Sequence, residues 1–270
     1  MRHKPRETIK GYLFTGKIGS PSRRAPGQGR DYMPVITIAN TKGGAGKTTA
    51  AALLAVELAQ CGYKVTVFDS DSQAWFSQWY ETARPRGAIS LVTRVTPASL
   101  ESHVREMNTQ TDYFIIDLAG ERNQLTATAL AFSSHVLVPV QGSGMDAKGA
   151  VKILDLIAQI KDETGYQVPH SVLLSRVNPM VTTHSLLAVK GLLAQRGVNT
   201  LATPIIERGA FREMFDLGVT LYDLDPQRTS NLDRAQANAR EFAAEIMRIL
   251  PARVISTPRR KGPFGWGRVA

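Results

Sequence analysis

Val35-Ile36-Thr37-Ile38-Ala39-Asn40-Thr41-Lys42-Gly43-Gly44-Ala45-Gly46-Lys47-Thr48-Thr49 decides how the rest of the chain is read. The apolar run Val35 to Ala39 has the make-up of a buried strand, and the Ala/Leu-rich run from Ala50 to Gln60 that of a helix. A glycine loop stands between them, and in that position it is a phosphate cradle. Residues without a Cβ let the backbone turn tightly and bring its N–H groups up to phosphate oxygens. The helix that follows aims its free N–H groups and its positive dipole end at the same anion. Lys47 is placed to reach the outer phosphates, and the Thr48 hydroxyl to ligate Mg²⁺. The strict pattern asks for glycine at position 41. This chain has Thr41 and, next to it, a second lysine, Lys42.

The 270 residues, 43% of them hydrophobic, are enough for one large α/β domain or two small ones. The single cysteine, Cys61, excludes a disulfide framework and a cysteine metal cluster. Its place near the end of an apolar helix predicts a core-packing role. Every apolar run falls short of the ~18 residues of a membrane span. The N-terminus lacks an apolar signal core, which predicts a cytoplasmic protein. The net charge of +10 is concentrated at the ends. Residues 1–32 carry Arg2, Lys4, Arg6, Lys10, Lys17, Arg23, Arg24 and Arg30 against Glu7 and Asp31. Residues 252–270 carry Arg253, Arg259, Arg260, Lys261 and Arg268 with no acid, and the stretch between is close to neutral. Such tails suit a polyanion such as DNA, or are solvated arms rich in Gly, Pro and Arg.

Three segments follow: a basic extension over 1–32 with little fixed structure, a P-loop domain over 33–251, and a basic flexible tail over 252–270. Met33, directly before the first strand, is a second candidate start. From Pro34 the apolar runs 35–39, 64–68, 89–95, 113–117, 135–140, 170–176 and 200–206 read as buried strands. The stretches 48–60, 73–84, 97–109, 121–132, 146–163, 182–196, 208–216 and 230–250 have helical spacing. This alternation predicts an α/β fold, a mainly parallel sheet flanked by helices on both faces, with ligands at the carboxyl ends of its strands.

The signature lysine gives the family. Lys42 ahead of the paired glycines, with Lys47-Thr48-Thr49 behind them, resembles the deviant Walker A P-loop of the ParA/MinD family of ATPases. The resemblance covers about 34–250. It implies ATP bound by Gly43, Gly44, Ala45, Gly46, Lys47, Thr48 and Thr49, with Mg²⁺ as cofactor. Phe68-Asp69-Ser70-Asp71-Ser72-Gln73 is similar to the family's Asp-x-Asp-Pro-Gln segment, with Ser72 in place of proline. That match gives Asp71 the water-positioning role and Asp69 an indirect hold on the metal; an Asx-rich turn is the other reading of these residues. Tyr113-Phe114-Ile115-Ile116-Asp117 has the form of a Walker B strand, with Asp117 reaching Mg²⁺ through water or holding Thr48. The family's Asp-Thr-Pro or Asp-Cys-Pro continuation is replaced by Leu118-Ala119-Gly120, which bears on how the γ-phosphate is sensed.

Val138-Pro139-Val140-Gln141-Gly142-Ser143-Gly144-Met145-Asp146 is similar to a further family segment, with Asp146 as a helix N-cap. Asn178, in Arg176-Val177-Asn178-Pro179, falls where relatives contact adenine; an Asn-Pro turn is the alternative. The segment 204–218 is similar to plasmid-type ParA proteins and supplies Arg208 and Arg212 as DNA phosphate contacts, or else as ion-pair partners of Glu207 and Glu213. The last helix carries Ala235, Ala239, Phe242, Ile246 and Ile249 on a core stripe.

In the family two subunits close face to face on ATP, and each signature lysine crosses to its partner's phosphates. Lys42, Lys47 and Asp71 are therefore the catalytic set. The resemblance implies a nucleoid-associated partition ATPase for a plasmid or chromosome, binding DNA non-specifically as an ATP homodimer and stimulated by a ParB-like partner. A MinD-like membrane cycle needs a C-terminal amphipathic helix, and Pro258 and Pro263 break one. An ATP-clamped DNA tether with negligible hydrolysis is the third reading. An iron–sulfur reductase is excluded by the single cysteine.

Overall fold

The computed structural model describes residues 33–142, 144–178 and 184–252, with only the backbone for 144–146 and 185. Both basic arms, residues 1–32 and 253–270, lie outside the described residues.

Strands and helices alternate along the chain: β1 (Val35–Ile38), α1 (Lys47–Gln60), β2 (Val65–Asp69), α2 (Trp75–Ala83), β3 (Ile89–Val92), α3 (Leu100–Met107), β4 (Tyr113–Asp117), α4 (Gln124–Phe132), β5 (His135–Val140), α5 (Gly144–Thr164), β6 (His170–Val177), α6 (His184–Gln195), β7 (Ile205–Ile206), α7 (Gly209–Asp216) and α8 (Leu232–Ile249). The strands form one sheet in the order β3-β2-β4-β1-β5-β6-β7. Every pairing is parallel. β1, the strand that feeds the glycine loop, is central, between β4 and β5.

Alternate residues of each strand face opposite sides, and helices cover both. Ile36, Ile38, Val65, Val67 and Ile115 pack with α1, α2, α7 and α8. Val35, Phe68, Phe114, Ile116, Val136 and Val138 pack with α3, α4, α5 and α6. With both faces covered, the strands need no polar alternation, which is why they read as unbroken apolar runs. α1 is buried nearly all round. Its one buried acid, Glu57, accepts bonds from the Tyr222 hydroxyl at 2.8 and 2.9 Å.

Several expectations are corrected. The strand expected over 200–206 is only Ile205–Ile206, with an isolated bridge between Val172 and Thr200. Pro204 has no N–H to give a ladder, and helix side chains take the neighbouring donors. Glu245 of α8 accepts from the N–H groups of Ala202 and Thr203 at 2.8 and 2.7 Å. Asn238 accepts from Ile206 N at 2.9 Å and donates to Pro204 O at 2.8 Å. Seven residues apart on one face, Asn238 and Glu245 do what another strand would do. Ile249 is 40% exposed and leaves the core stripe. Cys61 is exposed, because α1 ends at Gln60 and the chain has already turned out. α5 begins at Gly144, so Asp146 belongs to its first turn and not to its cap.

Candidate functional site

The loop from Thr41 to Gly46 leaves the carboxyl end of β1. Gly44 and Gly46 have φ of 73° and 95°, a left-handed conformation that side chains rarely tolerate. The loop's carbonyls are taken up by the protein. Gln141, just past β5, donates to Gly44 O at 2.5 Å, and Ser175 of β6 donates to Ala45 O at 2.8 Å. Lys47 Nζ reaches Lys42 O at 3.4 Å. Carbonyls tied into the protein leave the loop's N–H groups for an anion. α1 starts without a side-chain cap, so its first N–H groups are available to the same anion.

Lys47 is buried, and burial lowers its pKa; the charges of Asp117 and Asp71 partly restore it. Asp117 ends β4 and is fully buried. Neither of its oxygens has a hydrogen bond of normal geometry. Burial pushes its pKa up to about 7; the nearby Thr48 hydroxyl and Lys47 oppose this, while Asp69 and Asp71 add to it. An orphaned carboxylate beside a threonine hydroxyl is an all-oxygen donor set, the kind a hard divalent cation takes. Among the described residues no group of three or more His, Cys, Asp or Glu is arranged to hold a metal. Mg²⁺ held largely by phosphates and waters needs no such cage, so the residues present fit it.

Asp69, expected at the metal, has both oxygens engaged. Oδ2 accepts from Ser77 N and Oγ at 2.9 and 2.5 Å, and Oδ1 accepts from Asp71 N at 3.2 Å. Its carboxylate anchors the loop that carries Asp71. Asp71 is half-exposed, accepts from Gln73 N at 2.9 Å, and is close enough to act on the charges of Lys47 and Asp117. Ser70 ties the same loop to β4 through Asp117 O, by Oγ at 2.9 Å and N at 3.1 Å. Lys42 is half-buried, and Gly43 is exposed. A Cβ at Gly120 would stand 3.5 Å from Gly43 N and 3.6 Å from Lys47 Nζ, so the unusual Leu118-Ala119-Gly120 turn lies against the mouth of the cradle.

A cleft adjoins the loop, lined by Gly46 and Thr49 on one side and by Arg176, Ile206, Arg208 and Arg212 on another. A bulge in β6 shapes it: Ser175 and Val177 pair with the consecutive Ile205 and Ile206, and Arg176 between them has φ of 52°. Arg208 is half-buried, and its Nε is buried without a hydrogen bond. The Arg212 side chain is 64% exposed, 3.9 Å from Glu207. The two arginines assigned to DNA thus differ in exposure: both line the cleft, Arg208 half-buried and Arg212 largely exposed. Asn178 is exposed just past β6, beside residues 179–183, which lie outside the described residues. Sequence reasoning assigned no role to Ser175 or Gln141. Ser175 is one polar residue inside an apolar strand and carries no local signal. Gln141 sat inside a recognised segment.

The family model described as VirC1 protein matches residues 33–257. Protein ParA of Rhizobium radiobacter is 29% identical over 218 residues, 81% of this chain and 98% of that protein. Protein virC1 of Rhizobium rhizogenes is 29% identical over 223 residues, 80% of this chain and 96% of that one. Among solved structures, a complex of Cyanothece McdA with ATP superposes with a TM-score of 0.66 at 15% identity, over 80% of this chain and 97% of that one.

Proposed function

The chain belongs to the VirC1 family, of the ParA/MinD type of P-loop ATPases, and from that membership we propose that it hydrolyses ATP slowly to drive plasmid or chromosome partition. ATP closes two copies into a homodimer, the dimer binds DNA of the nucleoid without sequence preference, and hydrolysis stimulated by a ParB-like protein resets it.

The observation that carries this reading is the orphaned Asp117 carboxylate beside Thr48 and the buried Lys47, at the mouth of a loop whose carbonyls are tied into the protein. Such a site offers donors to an anion and oxygens to a cation at one point. Backbone N–H groups from Gly43 to Thr49 bind the phosphates, and Lys47 neutralises the outermost of them. Thr48 and Asp117 would hold Mg²⁺, which when bound would supply positive charge to the phosphoryl oxygens. Asp71, fixed by Asp69, orients the attacking water. Lys42 crosses to the phosphates of a second copy, which makes association conditional on ATP. The half-buried Arg208 and Asn178 hold the ribose and base end in the cleft beside Thr49, and the exposed Arg212 reaches DNA phosphate together with the basic arms.

Phosphate release measured with and without DNA, beside ATP-dependent co-sedimentation with DNA, tests the proposal. Co-sedimentation without phosphate release would favour the ATP-clamped tether. Binding to anionic vesicles in place of DNA would favour the membrane cycle.

A further inference from the structure

Asn40, between β1 and the P-loop, is 1% exposed and has both ends of its side chain engaged. Its amide donates to Pro139 O of β5 at 2.6 Å, and its oxygen accepts from Lys42 N at 2.8 Å. Gly149 of α5 lies against this pair. A Cβ there would collide with Asn40 Oδ1 and stand 2.9 Å from Lys42 Cβ and 3.1 Å from Lys42 N. Thr41 Oγ1 donates to Gly149 O at 3.3 Å. Three successive residues at the entry of the loop are thus seated on one point of α5 and one of β5. Glycine in a helix interior is less favourable than alanine, and this close approach is what it is exchanged for.

We propose that Asn40 and Gly149 are positioning residues for Lys42: they fix the direction in which its side chain leaves the loop and gear that direction to α5. A lysine has a long flexible stem, so it arrives at a distant phosphate reproducibly only if its backbone is held. Asn40 holds that backbone, and Gly149 keeps clear the space beside its Cβ. Close-packed groups of this kind move together, so a tilt of α5 re-aims Lys42. The inference rests on the reading of Lys42 as the lysine that crosses to a second copy.

The test uses the full chain and four variants: Lys42→Ala, Asn40→Ala, Gly149→Ala and the Asn40→Ala/Gly149→Ala pair. Two quantities are read: affinity for a fluorescent ADP analogue, which one subunit binds, and the protein concentration at which ATP drives dimerisation in sedimentation velocity. Asn40→Ala and Gly149→Ala should each raise that concentration about fivefold or more, the scale of removing one buried hydrogen bond, with ADP affinity changed about twofold or less. The double variant should show less than the product of the two effects, because Asn40→Ala removes the oxygen that the new methyl meets. Normal dimerisation in both single variants while Lys42→Ala fails to dimerise overturns the positioning role alone. Loss of ADP affinity in step with dimerisation overturns it too, since a general loss of structure moves both. A monomeric wild type, or normal dimerisation of Lys42→Ala, overturns the crossing-lysine reading and the inference with it. If Gly149→Ala does not fold, Asn40→Ala, which only removes atoms, decides alone.

Discussion

Asp69 and Asp117 are register partners at the tips of β2 and β4, and only Asp69 has its hydrogen bonds made. Their proximity is one reason that the Asp117 pKa rises, after burial itself. The consequence is a pH dependence of the nucleotide-free protein. Between the ordinary value of 3.8 and about 7, the folded chain holds a proton at Asp117 that the unfolded chain has released. Stability therefore falls as pH rises through that window, by at most about 1.4 kcal/mol per pH unit from this group. Asp117→Asn should flatten the slope. Urea unfolding in EDTA across this pH range checks it, and equal slopes in the two proteins would place the orphaned charge elsewhere.

Gly120→Ala should weaken ATP about tenfold relative to ADP. The added methyl would stand within 3.6 Å of both Gly43 N and Lys47 Nζ, where an outer-phosphate oxygen held by both would sit. A charged hydrogen bond removed there is worth about 1.5–3 kcal/mol. Parallel titrations with fluorescent ATP and ADP analogues measure the ratio. An unchanged ratio means that this turn does not read the outermost phosphate.

Lys47→Ala should abolish ATP binding, because Lys47 is the buried cation whose charge acts on Asp117 and the one placed to neutralise the outermost phosphate. The same titration applies. Retained affinity would sink the phosphate-cradle reading.

Asp71→Ala should leave ATP-driven dimerisation intact and reduce turnover by about a hundredfold or more, the scale of removing a proton-handling or water-orienting group. The phosphate cradle does not depend on this half-exposed side chain. Chromatography with ATP beside a phosphate assay gives both readings, and normal turnover would move the catalytic role to another group.

Arg208→Ala and Arg212→Ala should part company. The first should weaken nucleotide about fivefold, as removing a hydrogen bond from a half-buried guanidinium would. The second should lower the log–log salt slope of DNA binding by about 0.9 for each phosphate that the side chain neutralises, evenly across DNA sequences. Filter binding over a salt series, beside nucleotide titration, separates them. Identical behaviour of the two variants would refute this division of roles between the half-buried and the exposed arginine.

The fold was legible because its local signals agree. Val35 to Ala39 and Tyr113 to Asp117 are apolar runs of strand length, and each interval between such runs has helical spacing. The carboxyl-end positions of Lys47, Asp69, Asp71 and Asp117 followed from that alternation. What escaped depends on pairings distant in sequence. The short reach of β7 is set by Asn238 and Glu245, more than thirty residues on. Ser175 meets Ala45 across 130 residues. Cys61 misled because one residue past a helix end reverses inside and outside. Nor does the one-dimensional pattern separate the half-buried Arg208 from the exposed Arg212.

The pairing of α8 with the β7 edge also has a meaning in time. Residues 232–250 are among the last of the described chain to leave the ribosome, yet Asn238 and Glu245 set the backbone from Ala202 to Ile206, which runs into the arginine wall of the cleft beside the glycine loop. Tyr113 at the start of β4 waits for the same helix, donating to Leu250 O at 2.8 Å. A nascent chain can bring Gln141 and Ser175 to the phosphate loop before α8 emerges, but its cleft stays unfinished until α8 is in place. Competence at this site therefore waits for α8, and a chain cut short before α8 should be silent instead of half-active.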